Sequence, residues 1–79
     1  GGEEFLILLP ETDLSAAKVV AEKIRSTVAQ LRFETKELAI TISAGVAQAQ
    51  KDESYEALVN KADTNLYQAK RSGKNRVEG

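Results

Sequence analysis

The 79-residue chain contains neither cysteine nor histidine. The absence of cysteine excludes a disulfide framework and thiolate zinc sites, and the absence of histidine removes the commonest general base and metal ligand. No apolar stretch approaches the ~20 residues that a membrane span needs, and we expect no signal peptide with an apolar core. We therefore expect a soluble, most simply cytoplasmic segment without membrane contact, whose chemistry rests on carboxylates and cations.

Charges of the two signs nearly balance, with 11 Lys and Arg against 12 Asp and Glu. Because no net charge steers the chain toward nucleic acid or an anionic membrane, any anion binding must be local, and we expect no nucleic-acid partner. A chain of this length is one domain or part of one, and it buries only roughly 60% of the surface that it exposes when unfolded. Its stability should therefore be marginal.

The first part of the chain predicts a strand followed by a helix. Residues 5–9 form an unbroken apolar run that Pro10 closes, which favours a short strand covered on both faces. Thr12 and Asp13 are N-cap residues for an amphipathic helix over residues 14–31. The apolar face of this helix consists of Leu14, Ala17, Val20, Ala21, Ile24, Val28 and Leu31, and the face expected to be solvated consists of Lys18, Glu22, Lys23, Arg25 and Gln30.

The second part predicts a strand, a helix and a short final strand. Over residues 38–46 the apolar period changes to two, with one bulky face and one small face. On the small face Gly45 permits close approach of a packed helix or of a ligand, and packing is the simpler cause. Ser54 caps a second helix that ends at Gly73, and residues 75–77 can add a strand. The buried stripe of the second helix consists of Leu58, Ala62, Leu66 and Ala69.

The chain opens on two glycines and two carboxylates, which together form a plausible phosphate-and-metal site. Glycine lets a ligand approach the backbone closely, and carboxylate oxygens are ligands that Mg²⁺ prefers. The alternative is a cloning scar followed by two solvated charges. The residues concerned are Gly1, Gly2, Glu3 and Glu4.

A second patch places four cations within seven residues around the end of the second helix, namely Lys70, Arg71, Lys74 and Arg76. One explanation is that these cations complement the negative end of the helix dipole. The other is a polyphosphate site, in which Lys70 and Lys74 point at one anion and Gly73 lets the chain turn around it. The residues alone leave both explanations open.

Two further side chains on the second helix have simple structural interpretations. Asp63 lies seven residues before Lys70 on the same helical face, so we expect an intrahelical or tertiary salt bridge. A ring at helical spacing is usually packed, so we expect Tyr67 in the core or an interface rather than stacked on a base.

Three segments together resemble the GGDEF domain of diguanylate cyclases: residues 1–5 (GGEEF), 41–47 (TISAGVA) and 62–77, with Ala62-Asp63, Leu66-Tyr67, Ala69-Lys70 and Gly73-Lys74-Asn75-Arg76-Val77. The resemblance covers the whole chain. It implies a palm-like α/β fold, an α+β sandwich related to nucleotidyl cyclases, with the order β-α-β-α-β. It also implies condensation of two GTP molecules into cyclic di-GMP with release of pyrophosphate, in bacterial second-messenger signalling. Two such domains would face each other as a homodimer, each holding one GTP.

The resemblance implies roles for the acidic and glycine residues. Gly1 and Gly2 would bind substrate by close backbone approach. Glu3 would be catalytic, ligating Mg²⁺ (or Mn²⁺) and helping to activate the 3′-hydroxyl, and Glu4 would be a catalytic residue that supports the site.

The resemblance also implies roles for three lysines. Lys70 and Lys74 would bind substrate by holding the β and γ phosphates. Lys74 stands where arginine is also usual, so a bidentate contact would become a point charge. Lys23 stands where an arginine can complete an inhibitory site for the product, which puts product inhibition in doubt.

A domain of this kind has roughly twice this length. Residues 1–79 would then be a partial domain, the C-terminal half that starts at the motif. Guanine recognition, a second metal aspartate and sensor domains, including any membrane tether, would lie upstream. The fragment alone would be inactive, and residues 5–9 would expose a strand edge that favours a dimer or a strand-swapped assembly. The alternatives are a non-catalytic half-domain that binds nucleotide or another protein, and a bare structural fragment.

Overall fold

The computed structural model describes residues 7, 9, 12–31 and 40–79. Within them the elements are α1 (Leu14–Ala29), β1 (Ala44–Gly45), α2 (Tyr55–Arg71) and β2 (Val77–Glu78). The two strands pair in parallel, with Ala44 opposite Val77 and Gly45 opposite Glu78. Because α2 is the connection between them, residues 44–78 form a βαβ unit, to which α1 is added. The α/β class expected from the sequence is confirmed.

Helix α1 begins where the sequence predicts and ends slightly earlier. The Asp13 carboxylate caps it by accepting a hydrogen bond from the Ala16 amide at 2.8 Å. Its last turn tightens, since the Leu31 amide donates to the Val28 carbonyl at 3.1 Å, and the helix therefore stops at Ala29 rather than Leu31.

The predicted apolar face of α1 is only partly covered by the described residues. Ala17 is buried, but Val20 and Ile24 are each 38% exposed and Leu31 is 49% exposed. Among the described elements α1 packs mainly on β2, and a two-residue strand cannot cover a helix of 16 residues. These three side chains of the predicted apolar face are thus partly exposed in the described part of the molecule.

Helix α2 follows the prediction at both ends. The Ser54 hydroxyl accepts a hydrogen bond from the Ala57 amide at 3.1 Å, and Gly73 follows the C-cap Ser72 with φ +122°. The Lys74 amide then donates to the Ala69 carbonyl at 3.0 Å, which is the long bond of a Schellman C-terminus. The predicted stripe is confirmed, with Ala69 fully buried and the rest half-buried, namely Leu58, Ala62 and Leu66.

Gly45 is the point at which α2 rests on the sheet. A Cβ added there would lie 2.1 Å from the Ala62 carbonyl oxygen and 2.1 Å from the Leu66 amide nitrogen. Real Cβ atoms do not approach backbone this closely, so only glycine allows the helix to reach β1. The packing interpretation of this glycine is confirmed, and the contact fixes where α2 lies over the strands.

The strands are shorter than predicted. Of residues 40–46, all of which are described, only 44–45 are paired, through bonds from the Ala44 amide to the Arg76 carbonyl (2.9 Å) and from the Val46 amide to the Glu78 carbonyl (2.8 Å). A strand extends only as far as its partner, and β2 starts at Val77 rather than at residue 75. It cannot start earlier because Asn75 has φ +49°, outside the extended region.

The predicted first strand lies mostly outside the described residues. Ile7 and Leu9, which are described, belong to no strand there and are 61% and 37% exposed, so the expectation that both faces are covered is wrong for these two. No described strand pairs with them, and their side chains remain open to solvent.

Across the described ranges, neither helix is long and apolar enough to cross a membrane.

Candidate functional site

The C-terminal end of α2 brings the two predicted phosphate-binding lysines together. Lys70 lies in the last turn and Lys74 directly follows Gly73, and both side chains are exposed. The Schellman bond from the Lys74 amide to the Ala69 carbonyl keeps Lys74 next to the end of α2. We call Lys70, Arg71, Lys74 and Arg76 the cationic corner. Gly1, Gly2, Glu3 and Glu4 lie outside the described residues, and their roles stay predictions.

The backbone after α2 has an unusual conformation that the sequence did not indicate. Gly73, Lys74 and Asn75 have φ values of +122°, +61° and +49°. We call these three residues the 73–75 turn. Asparagine enters the left-handed region more readily than most residues, but lysine does so rarely. The turn therefore needs external contacts to hold it.

Two elements distant in sequence supply those contacts. The Arg25 guanidinium donates from Nη1 to the Asn75 side-chain oxygen at 2.6 Å, and the Asn75 amide donates to the Ser43 hydroxyl at 3.1 Å. Arg25 also bonds to Glu22 one turn earlier, with Nε at 3.2 Å from Oε2 and closer to Oε1. Its side chain is only 21% exposed. The expectation that Arg25 is merely solvated is wrong, because α1 packs close enough to β2 for Arg25 to reach this turn. Glu22 is 51% exposed, as expected, although it also pairs with Arg25.

A shallow cavity of about 240 Å³ runs along α2 beside Lys70, lined by Asp63, Leu66, Tyr67 and Lys70. Tyr67 is 60% exposed and its ring lies under the Arg71 guanidinium, 5.8 Å from the ring centre. The expectation that Tyr67 lies in the core is therefore wrong. Its side chain points about 100° away from that of the half-buried Leu66 around the helix.

Asp63 forms neither of the two ion pairs found among the described residues. The expected salt bridge within the helix does not form, since two helical turns separate Asp63 from Lys70 by about 10 Å along the axis. Its carboxylate stays exposed at the mouth of the cavity.

A second cavity of about 450 Å³ lies between the start of α1, the end of β1 and α2, and a hydrogen-bond network crosses it. The Gln48 side chain accepts from the Leu14 amide at 2.9 Å, and the Lys61 ammonium donates to the Gln48 carbonyl at 2.9 Å. The Asn65 amide group donates to the Val46 carbonyl at 2.8 Å. These bonds fasten the segment after β1 to both helices.

Glu53 completes that network and is the one described residue with a clearly shifted pKa. Its carboxylate accepts from the Gln50 amide at 2.9 Å and pairs with the Lys61 ammonium at 3.0 Å. The bond from Gln50, followed by that from Lys61, holds the pKa of Glu53 below its ordinary value of 4.5, because both favour the charged form.

No group of three or more potential metal ligands occurs within residues 12–31 and 40–79 or at residues 7 and 9. The carboxylates that the sequence suggested for Mg²⁺, Glu3 and Glu4, lie outside these ranges. The metal site therefore stays a prediction.

The described structure defines an α/β unit with a cationic corner at the end of its crossover helix. The family model for the diguanylate cyclase GGDEF domain matches residues 1–76. Because this match spans nearly the whole chain, the chain belongs to the GGDEF-domain family of diguanylate cyclases. The resemblance carried by its three motifs is thereby confirmed.

Individual relatives agree with this assignment. The chain is similar to diguanylate cyclase DgcP of Pseudomonas aeruginosa, with 44% identity over 80 residues that cover 99% of this chain and 12% of DgcP. Diguanylate cyclase A of Treponema denticola is 44% identical over 80 residues, covering 98% of this chain and 22% of the relative. The response regulator PleD of Caulobacter vibrioides is 44% identical over 84 residues, covering all of this chain and 18% of PleD. The chain thus spans 12–22% of the length of these relatives.

Proposed function

We propose that the protein carrying this chain condenses two GTP molecules into cyclic di-GMP and releases pyrophosphate. The observation that supports this most is the family match over residues 1–76, which includes both the opening motif and the cationic corner. Two of the relatives are named diguanylate cyclases, and their identity to this chain extends over almost all of it. This chain would supply part of the site, and the reaction would be that of the whole protein.

Lys70 and Lys74 would hold the phosphates of one GTP. Nucleotidyl transfer depends on neutralising charge on the leaving pyrophosphate and on positioning, with little covalent participation by the protein. Both lysines are exposed at the same helix end, so a polyphosphate reaches them without having to be buried. A Cβ at residue 73 would lie 2.8 Å from Arg76 Nη2, so Gly73 leaves room for the Arg76 guanidinium beside the turn.

Glu3 would ligate Mg²⁺ (or Mn²⁺), because its carboxylate offers the hard oxygen donors that these ions prefer. When bound, the ion would lower the pKa of the attacking 3′-hydroxyl and neutralise phosphate charge. Glu4 would support the site, and Gly1 and Gly2 would let the backbone approach the nucleotide closely.

A homodimer would follow from the chemistry of the product. Cyclic di-GMP joins two nucleotides, so each hydroxyl must attack the phosphate of the other, and two domains that each hold one GTP would present them to one another. We propose that a second GGDEF domain is the partner; a strand-swapped dimer through residues 5–9 is the alternative assembly.

The test uses the full-length protein, GTP and Mg²⁺, with product measured by chromatography. Glu3→Ala should abolish product formation, and Lys70→Ala and Lys74→Ala should each lower kcat/KM by about 10²-fold, in line with the loss of one transition-state charge partner. The matched control is Lys51→Ala, since Lys51 is exposed in the connection between β1 and α2.

The proposal fails if the wild-type protein binds GTP and forms no product. That result would favour the alternative of a non-catalytic nucleotide-binding domain. If product forms equally well in the Lys70→Ala, Lys74→Ala and Lys51→Ala variants, the cyclase activity stands and the phosphate-binding assignment is wrong.

A further inference from the structure

The 73–75 turn holds Lys74 in a backbone conformation that lysine rarely adopts. Three successive residues have positive φ, and the middle one is Lys74 at +61°. A residue with a long side chain rarely keeps a left-handed backbone unless surrounding contacts hold it there, and residues held in this way concentrate at functional sites. The direction in which the Lys74 side chain points therefore depends on the contacts that hold the turn.

Asn75 carries the contacts that hold it from outside. Its side-chain oxygen accepts the 2.6 Å bond from Arg25 on α1, and its amide donates the 3.1 Å bond to the Ser43 hydroxyl just before β1. The bond from Arg25 is charge-assisted and joins residues 50 positions apart. Glu22 orients the guanidinium through a second contact, at Nε. The planar guanidinium of Arg25 thus contacts Glu22 through Nε and Asn75 through Nη1.

We propose that Arg25 is a positioning residue for Lys74: through Asn75 it holds the 73–75 turn in the conformation that presents the Lys74 ammonium to a nucleotide phosphate. This inference rests on the phosphate-binding role proposed for Lys74. Arg25 acts through the turn, and Glu22 in turn keeps the guanidinium aimed at Asn75. Lysine cannot replace this arginine, because an ammonium on a flexible stem cannot make both contacts in a fixed plane.

The first experiment is a double-mutant cycle on kcat/KM for GTP in the full-length protein. Arg25→Ala should lower kcat/KM about tenfold, since a displacement near 1 Å of a group that positions substrate has effects of this order or larger. Lys74→Ala combined with Arg25→Ala should be no worse than Lys74→Ala alone, because Arg25 then has nothing left to position. Losses that multiply would overturn the inference.

Two variants separate the contact itself from general destabilisation. Asn75→Gly suits the left-handed backbone but removes the acceptor, so it should lose as much kcat/KM as Arg25→Ala, and Arg25→Lys should lose nearly as much. Lys18→Ala is the matched control, because Lys18 is a cation on the same face of α1, two turns earlier, and should leave kcat/KM unchanged. Full activity of Asn75→Gly would show that the bond to Arg25 is not needed.

Hydrogen exchange measured by mass spectrometry gives a readout that does not depend on activity. In Arg25→Ala, exchange of the Lys74 and Asn75 amides should rise several-fold, as expected when the contact that holds a turn is lost, while Lys18→Ala should match the wild type. Unchanged exchange in Arg25→Ala would overturn the positioning role. If exchange rises but Lys74→Ala leaves kcat/KM unchanged, the turn is held as described and the phosphate role of Lys74 is what fails.

Discussion

Replacing Gly45 by alanine should disrupt the contact between α2 and β1. The added Cβ would lie 2.1 Å from the Ala62 carbonyl oxygen, 2.1 Å from the Leu66 amide nitrogen and 2.7 Å from the Leu66 Cα. Contacts of this kind are comfortable at about 3.5 Å, so α2 would have to move away by about 1.4 Å. All three atoms belong to the helix backbone, so no side-chain rotation can relieve the clash.

Overpacking costs about 1–3 kcal/mol when side chains can adjust, and we expect about 3 kcal/mol here because the backbone must shift. That is a large fraction of the roughly 5–15 kcal/mol by which a domain is stable. The displacement would also move the far end of α2, which carries Lys70 and the 73–75 turn. We therefore expect loss of stability and of kcat/KM together.

Native-state hydrogen exchange of the α2 amides in the full-length protein measures this loss locally. A decrease of about 3 kcal/mol in the free energy of opening corresponds to roughly 150-fold faster exchange. Ala49→Ser is the control, since it adds one atom at an exposed position a few residues beyond β1 and should change nothing. If exchange in Gly45→Ala rises less than about 3-fold, the direct packing of α2 on Gly45 is refuted.

Two other substitutions test the ends of the connection around α2. Because the folded pKa of Glu53 lies below 4.5, its stabilisation is present above the unfolded pKa and is lost as pH falls through the folded pKa. As pH is lowered from about 6 to 3, the thermal midpoint of Glu53→Gln should therefore fall less steeply than that of the wild type. The same slope in both proteins would contradict this. Gly73→Ala should lower the free energy of unfolding by about 1–3 kcal/mol, because φ is +122° at this residue. The control Ser72→Ala, one residue earlier with φ −85°, should cost little. Equal losses for the two variants in urea titrations would show that φ is not the cause.

The helices could be predicted closely because their signals are local. Asp13 and Ser54 cap their own helices by accepting bonds from amides three residues away. Gly73 ends α2 through its positive φ, which lets the Lys74 amide reach the Ala69 carbonyl. Strand length could not be predicted in the same way, because pairing depends on residues more than 30 positions distant. The apolar alternation of residues 38–46 continues well before Ala44, but β2 offers partners only from Val77 onward.

The chemistry of the site was predictable where residue type decides it and unpredictable where conformation does. Lys70 and Lys74 were expected at one helix end, and the structure places them there. No pattern indicated that Arg25 reaches Asn75, because the two are 50 residues apart and arginine on a helix surface is ordinarily solvated. The left-handed backbone at Lys74 was equally hidden, since lysine gives no sign of positive φ.

The two explanations for the cationic corner are compatible. The C-terminal end of a helix carries about −0.5 of an elementary charge, which repels phosphate, so this end of α2 is electrostatically the wrong one for a nucleotide. The four cations of the corner first offset that charge and still leave a surplus to attract an anion. The Schellman bond also occupies the Ala69 carbonyl, so one fewer bare oxygen faces the ligand. If Lys70 and Lys74 bind phosphate as proposed, complementing the helix dipole is therefore a condition for that binding, and the same lysines would do both.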